Sequence, residues 1–178
     1  KNAKRLHSNP EFQQDMLDTV ENSLEKMRQL MTQLREGTTP AGTTFGVDLG
    51  GVVRRIESVT TGRGRHIEVR SVETAISRGH EERIERVIGH LVHNALDATD
   101  ADGRVWIQLD KCGDRARIVV GDTGHGMTAE FIRDRLFKPF QSTKPTGMGI
   151  GAYESSQYIQ ELGGKISVVS APEKGTEV

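Results

Sequence analysis

The chain has 178 residues, a formal net charge of −1 and 34% hydrophobic residues, enough for one domain with a real core plus an appendage. Near-neutral charge and only 4% aromatic residues give neither a basic footprint nor a base-stacking surface, which excludes nucleic acid as a partner. One cysteine, Cys112, excludes a disulfide framework and fits a reducing, cytoplasmic setting, and no apolar run approaches the roughly 20 residues of a membrane helix.

Lys1 to His7 read as the end of a helix, and Ser8-Asn9-Pro10 as the loop after it. Asn9-Pro10 starts a second helix, with a capping residue followed by proline at the first helical position. Along it, Leu17, Val20, Leu24, Met27, Met31 and Leu34 alternate spacings of three and four, a coiled-coil seam that pairs with another helix or packs on its own domain. Gly37-Thr38-Thr39-Pro40-Ala41-Gly42 breaks the pattern, so 1–36 is one unit, 37–46 a linker and 47–178 a second unit. In that second unit the patterns predict a helix over 47–59 with Asp48 in its first turn, a strand over 66–70 and a long helix over 83–99. Strands at 105–109 and 116–120 follow, joined by a turn at Cys112-Gly113-Asp114. Thr128 caps a helix reaching Leu136, a helix over 152–162 ends at Gly163-Gly164, and 166–169 is a strand. The chain opens without methionine and closes on Thr176-Glu177-Val178, which looks like a strand cut short, so we take it for a piece of a longer protein. The fold class is α/β, a two-layer sandwich of a mixed sheet and helices, preceded by a long coiled-coil-type helix.

On the long helix, Ile84, Val87, Ile88, Leu91 and Ala95 form an apolar stripe. His90, Asn94 and Asp97 fall on one border of it, within about 60° at helical spacing. A polar strip beside a buried stripe can hold a ligand, although an asparagine there serves equally well to satisfy nearby backbone. Asp122 sits at a strand end ahead of Gly124 and Gly126, which permit a tight turn and close approach. Gly147, Gly149 and Gly151 lead into a helix whose N-terminal amides can face phosphates. Their spacing is not that of a dinucleotide fold, and no strand directly precedes them.

In this order, HLVHNALDAT (90–99), DTGHGM (122–127), FKPF (137–140) and GMGIG (147–151) resemble the N, G1, F and G2 boxes of the histidine-kinase ATP-binding domain. This is the Bergerat fold, shared with gyrase, Hsp90 and MutL. Residues 1–17, KNAKRLHSNPEFQQDML, together with GMGIGAYE, look like the histidine kinases associated with exosortase (PEP-CTERM) systems. The resemblance implies ATP and Mg²⁺ as ligands, with Asn94 coordinating the metal and Asp122 accepting the adenine amino hydrogen. It also implies that Gly124, Gly126, Met127 and Thr176 take part in binding the nucleotide, and that Phe137 and Phe140 are the hydrophobic hinges that fasten a lid running from Phe137 to Gly151. Lys144, Gly147, Met148, Gly149, Ile150 and Gly151 fall to the phosphates. It further implies a homodimer through the N-terminal helix and a response-regulator receiver domain as partner, in the cytoplasm.

The sequence departs from that pattern at several points. His90 stands where hydrolytic relatives carry a glutamate base and most histidine kinases an asparagine; a neutral imidazole can orient a phosphate or a water, which favours phosphoryl transfer over hydrolysis. Asp97 replaces a basic residue that some kinases set against phosphate. His7 lacks an acidic neighbour, so the acceptor histidine is expected upstream of Lys1. A self-sufficient ATPase and a degenerate, scaffold-like kinase are the rival assignments.

Overall fold

The computed structural model describes residues 46–62, 64–141 and 149–178. The heptad helix, His7, Lys144, Gly147, Met148 and all of the 37–46 linker except Gly46 lie outside the described residues.

Strand β1 (Val47–Asp48) opens the described part and is followed by helix α1 (Leu49–Gly62). Asp48, expected inside the first turn, lies just ahead of the helix and accepts the Gly50 N–H at 3.0 Å. On α1, Leu49, Val52, Val53 and Ile56 are buried at spacings of three and four, one face of a helix. Strands β2 (Glu68–Val72) and β3 (Ile76–Ser77) follow, and β3 pairs antiparallel with β1 as a small separate ribbon. Helix α2 (Glu81–Ala98) then buries Ile84, Val87, Ile88, Val92 and Ala95. It is the crossover that allows β2 to run parallel to β4 (Val105–Cys112).

A hairpin turning at Gly113, where φ is +64°, joins β4 to β5 (Arg115–Asp122) in full antiparallel register, Val105 opposite Asp122 and Cys112 opposite Arg115. Two short helices come next, α3 (Ala129–Asp134) and α4 (Gly151–Glu161), and then β6 (Val169–Ser170) and β7 (Thr176–Glu177). Thr128 caps α3 as expected, its hydroxyl accepting the Phe131 N–H at 3.2 Å, but the helix stops at Asp134 instead of reaching Leu136. Gly163 has a φ of +72°, and the Gly163 and Gly164 amides close back onto Gln160 and Ile159, ending α4 where the glycine pair foretold. The strand expected over 166–169 shrinks to Val169–Ser170, because its neighbour β7 offers only two residues to pair with.

The mixed sheet has the order β2-β4-β5-β7-β6. Alternation along β4 decides which face packs. Val105, Ile107 and Leu109 join the core with the buried faces of α1 and α2 and with Tyr158 of α4. Each fully buried aliphatic side chain there, such as Val52, Ile107 or Leu109, stabilises the fold by about 1.5–3 kcal/mol. The opposite face pairs its own groups: the Arg70 guanidinium lies 4.0 Å over the Trp106 ring, and Arg117 meets Asp110 at 2.8 Å. Gly121 lets that tryptophan lie flat, since a Cβ there would stand 2.2 Å from the ring. This is the two-layer α/β sandwich that the sequence patterns call for.

Candidate nucleotide site

Asp122 closes β5 and is only 5% exposed, at the point where the chain leaves the sheet. The Gly124 amide donates to its Oδ1 at 2.8 Å, and the Thr176 backbone N–H on β7 also donates to the carboxylate. Burial raises the Asp122 pKa above the usual carboxylate value, while those two amides and the nearby His125 hold it down. Among the described residues no lysine or arginine pairs with it. A buried carboxylate held only by N–H groups keeps acceptor capacity for a further uncharged donor.

The turn after Asp122 is fastened to the end of α2. His125 N–H donates to Ala98 O at 3.1 Å, and Thr123 N–H to Arg104 O at 3.0 Å. A Cβ at Gly124 would stand 2.1 Å from that same Ala98 oxygen. Gly126 has a φ of +65°, and a Cβ there would stand 2.0 Å from Ala171 O. Both glycines are therefore required by main-chain neighbours. Met127 is anchored through its amide, which donates to Ser170 Oγ at 2.8 Å. Ser170 gives its one proton to Gly175 O at 2.8 Å, so the 2.9 Å contact with Thr176 is donated by the Thr176 hydroxyl. Thr176 is thus left as an acceptor beside Asp122. Ser170, which carried no signal in the sequence, is the hub that ties the turn to β7.

His90 and Asn94 are both half-buried on α2. The His90 ring fills the notch left by Gly151 at the start of α4, where a Cβ would stand 1.8 Å from Nε2. Ile150, 8% exposed, is the N-cap of α4 and makes no side-chain capping bond, so no side chain of its own covers the first amides of that helix. Gly149 has a φ of +67°, and a Cβ there would stand 2.4 Å from the Gln141 main chain. Gly149 therefore lies against the main chain of Gln141.

Three residues sit differently from their companions. Asp97, the third member of the polar strip, is exposed, with its carboxylate 3.1 Å from His93 Nδ1. It lines a groove of about 590 Å³ between α1 and α2, beside Val92 and Leu96, and so leans away from the His90 side of the helix. Phe137 is half-buried, whereas Phe140 is 66% exposed with a φ of +62°, so its ring is not a packed hinge. His125 is exposed, with Nδ1 2.8 Å from Gly126 O.

Comparison with known proteins gives a consistent set. The model of the histidine kinase-, DNA gyrase B- and HSP90-like ATPase family matches residues 79–178. The sensor histidine kinase ZraS of Klebsiella oxytoca is 30% identical over 158 residues, covering 85% of this chain and 34% of that one. The chain spans about a third of the length of the first curated relatives it matches. Among solved structures, the mycobacterial sensor histidine kinase MprB superposes with a TM-score of 0.66 at 25% identity, covering 76% of this chain and 93% of that one. The histidine kinase ThkA, solved in complex with the response regulator TrrA, shares the fold at a TM-score of 0.68 and 19% identity, covering 98% of this chain and 53% of that one.

Proposed function

The chain belongs to the histidine kinase-, DNA gyrase B- and HSP90-like ATPase family, and on that footing we propose that it is the ATP-binding catalytic part of a two-component sensor histidine kinase. The observation that carries the proposal is Asp122, a buried carboxylate with backbone donors only, in a turn bolted to the helix that bears His90 and Asn94. Its spare acceptor capacity suits the adenine amino group and rejects guanine, whose oxygen would face the carboxylate with no proton between them; a lost bond of that kind costs about 1–3 kcal/mol. Gly124, Gly126, Met127 and Thr176 frame the base beside it, with Phe137 on the lid side.

Toward the phosphates, the α4 N-terminus, Gly149, Ile150 and Gly151 supply amides, and Lys144, Gly147 and Met148 complete the loop. Asn94 would hold Mg²⁺ through its amide oxygen, and the metal would neutralise the triphosphate charge. Asp97 is the weakest member of the set, since it faces His93 and the outer groove.

The work of such a site is positioning and charge neutralisation, as phosphoryl transfer requires. His90 in place of a glutamate leaves position 90 without a carboxylate base, which favours transfer to a histidine over hydrolysis by a gyrase- or Hsp90-like ATPase. The acceptor histidine would lie upstream of Lys1, and the phosphate would pass on to a response-regulator receiver domain. Residues 1–36 would end a dimerising hairpin and give a homodimer in the cytoplasm, and the exosortase-associated kinases are the subgroup we favour.

Calorimetry with Mg·ATP and Mg·GTP tests the core of this. ATP should bind, GTP should bind far more weakly, and Asp122→Ala should remove the adenine preference. Equal affinity for the two nucleotides would overturn the assignment. Labelled ATP should leave this chain unlabelled, and a version extended upstream should take up acid-labile phosphate. In that longer protein His90→Asn should slow transfer and spare ADP affinity, and His90→Glu should raise ATP hydrolysis. If neither change has an effect, His90 takes no part in the chemistry.

A further inference from the structure

Tyr158 lies on α4, two turns past Gly151, and is 4% exposed. Its hydroxyl accepts the His80 backbone N–H at 2.8 Å and lies 3.4 Å from His80 O. His80 is the N-cap of α2, and its own side chain makes no capping bond. The chain ahead of α2 is shaped for this hydroxyl: Gly79 has a φ of +134°, and a Cβ there would stand 2.8 Å from the tyrosine oxygen. Arg83 lies 3.8 Å over the Tyr158 ring and reaches Glu161 at 3.0 Å. His80 meeting Tyr158, and His90 meeting Gly151, show that α2 and α4 run antiparallel.

The two contacts do different work. A leucine at position 158 would fill the same core space, but apolar packing is non-directional and tolerates small slides of one helix along another. A buried hydroxyl must find its partner, and here that partner is main chain at a fixed point of α2. The bond therefore fixes α4 along its own axis. Gly151 and the first turn of α4 sit about 10 Å away along the same helix.

We propose that Tyr158 is a positioning residue for the triphosphate. By bonding the His80 main chain it sets where the α4 N-terminus and Gly149–Gly151 stand against the phosphates. The inference rests on the adenine-nucleotide assignment above and adds a residue remote from the ligand to it.

The test is a comparison of ligands with and without phosphates on the whole 178-residue chain. Tyr158→Phe keeps the ring, its packing and the Arg83 stack, and removes only the hydroxyl. Mg·ATP affinity, measured by calorimetry, should fall roughly fivefold, the effect of one lost hydrogen bond, whereas adenosine, measured by displacement, should change by less than about twofold. Gly79→Ala crowds the same bond from the other partner and should shift the ATP-to-adenosine ratio the same way. Glu161→Gln breaks the exposed bridge at the same helix end and should leave the ratio alone. Equal losses for both ligands, or no loss for either, in both Tyr158→Phe and Gly79→Ala would mean that the tyrosine only supports the fold, and would overturn the proposal. An unaltered chain that binds neither ligand would overturn the adenine-nucleotide assignment itself.

Discussion

The two ends of α2 are held by different means. At the C-terminal end the Asp122 turn meets the helix main chain to main chain: His125 N–H donates to Ala98 O, and Gly124 rests where any Cβ would strike the same oxygen. On another side the Arg65 guanidinium donates to Leu96 O at 2.7 Å. Along the rest of the helix the contacts are made by side chains, with the Tyr158 hydroxyl on His80, Arg83 on the Tyr158 ring, and His90 in the Gly151 notch. In the proposed function the first region faces the base, and the His90–Gly151 part of the second faces the phosphates. Where a Cβ would strike main chain, as at Gly124, no side chain can move aside and only glycine fits. Side-chain contacts can be exchanged in pairs, and His90, one of the positions where the sequence departs from the kinase pattern it resembles, makes such a contact.

The largest expected effect is at the backbone-held end. Gly124→Ala forces a Cβ against the Ala98 oxygen, and either the turn or the end of α2 must move. Urea melts should show a loss of at least about 3 kcal/mol. Gly113→Ala is the control, with a φ of +64° and nothing within 4 Å of its Cβ; it should cost only the left-handed penalty of about 1–2 kcal/mol. Similar losses at the two positions would remove the distinction between a clashing glycine and a merely left-handed one.

Gly151→Ala comes next and tests the side-chain region. The added Cβ meets the His90 ring, which can swing away, so the cost should be about 1–3 kcal/mol, as for overpacking in general. The decisive comparison is the double substitution. In a His90→Ala background the notch is empty, and Gly151→Ala should cost much less, with a coupling of about 1–2 kcal/mol in a double-mutant cycle. Additive losses would show that the helix start, and not the ring, objects to the methyl group.

The same division explains what was legible in the sequence. Helix α2 announces itself by a buried face repeated over its length, and β4 and β5 by the five-residue alternations at 105–109 and 116–120, which the structure extends to eight residues each. The ribbon of β1 and β3 could not be read, because two-residue strands carry no period. The strand expected at 166–169 is observed as Val169–Ser170 because β7 pairs with only two residues, a limit that no local pattern in the sequence conveys. The turn around Asp122 was found because glycines demanded by backbone leave a local signature. Tyr158 and Ser170 were missed. Tyr158 meets His80 across 78 positions, and Ser170 meets Met127 across 43, and spacing along one helix or strand says nothing about either. Asp97 was placed with His90 and Asn94 by helical angle alone; His93, one turn away, draws its carboxylate toward the outer groove.

The smallest expected change in stability falls on the most consequential residue of the site. Burial raises the Asp122 pKa above 3.8, so the ionised form is disfavoured in the folded chain relative to the unfolded one. The sign follows by linkage. Below pH 3.8 the group is protonated in both states and exerts no penalty; as pH rises through the raised folded value, the stability it allows is lost. Asp122→Asn removes the charge and keeps an oxygen that can accept the Gly124 N–H. The variant should therefore melt higher than the parent at neutral pH, and the gap should close as the pH falls toward 3.8. The other carboxylates titrate in both proteins and cancel in the difference. Adenine-nucleotide affinity should fall in the same variant, since a buried amide competes poorly for the amino hydrogen. Such an opposition, stability given up where a ligand must be met, is what a binding carboxylate in a dry turn entails. If Asp122→Asn melts lower at neutral pH, the carboxylate serves the turn itself, and the division between a backbone-locked base end and an adjustable phosphate end loses its main support.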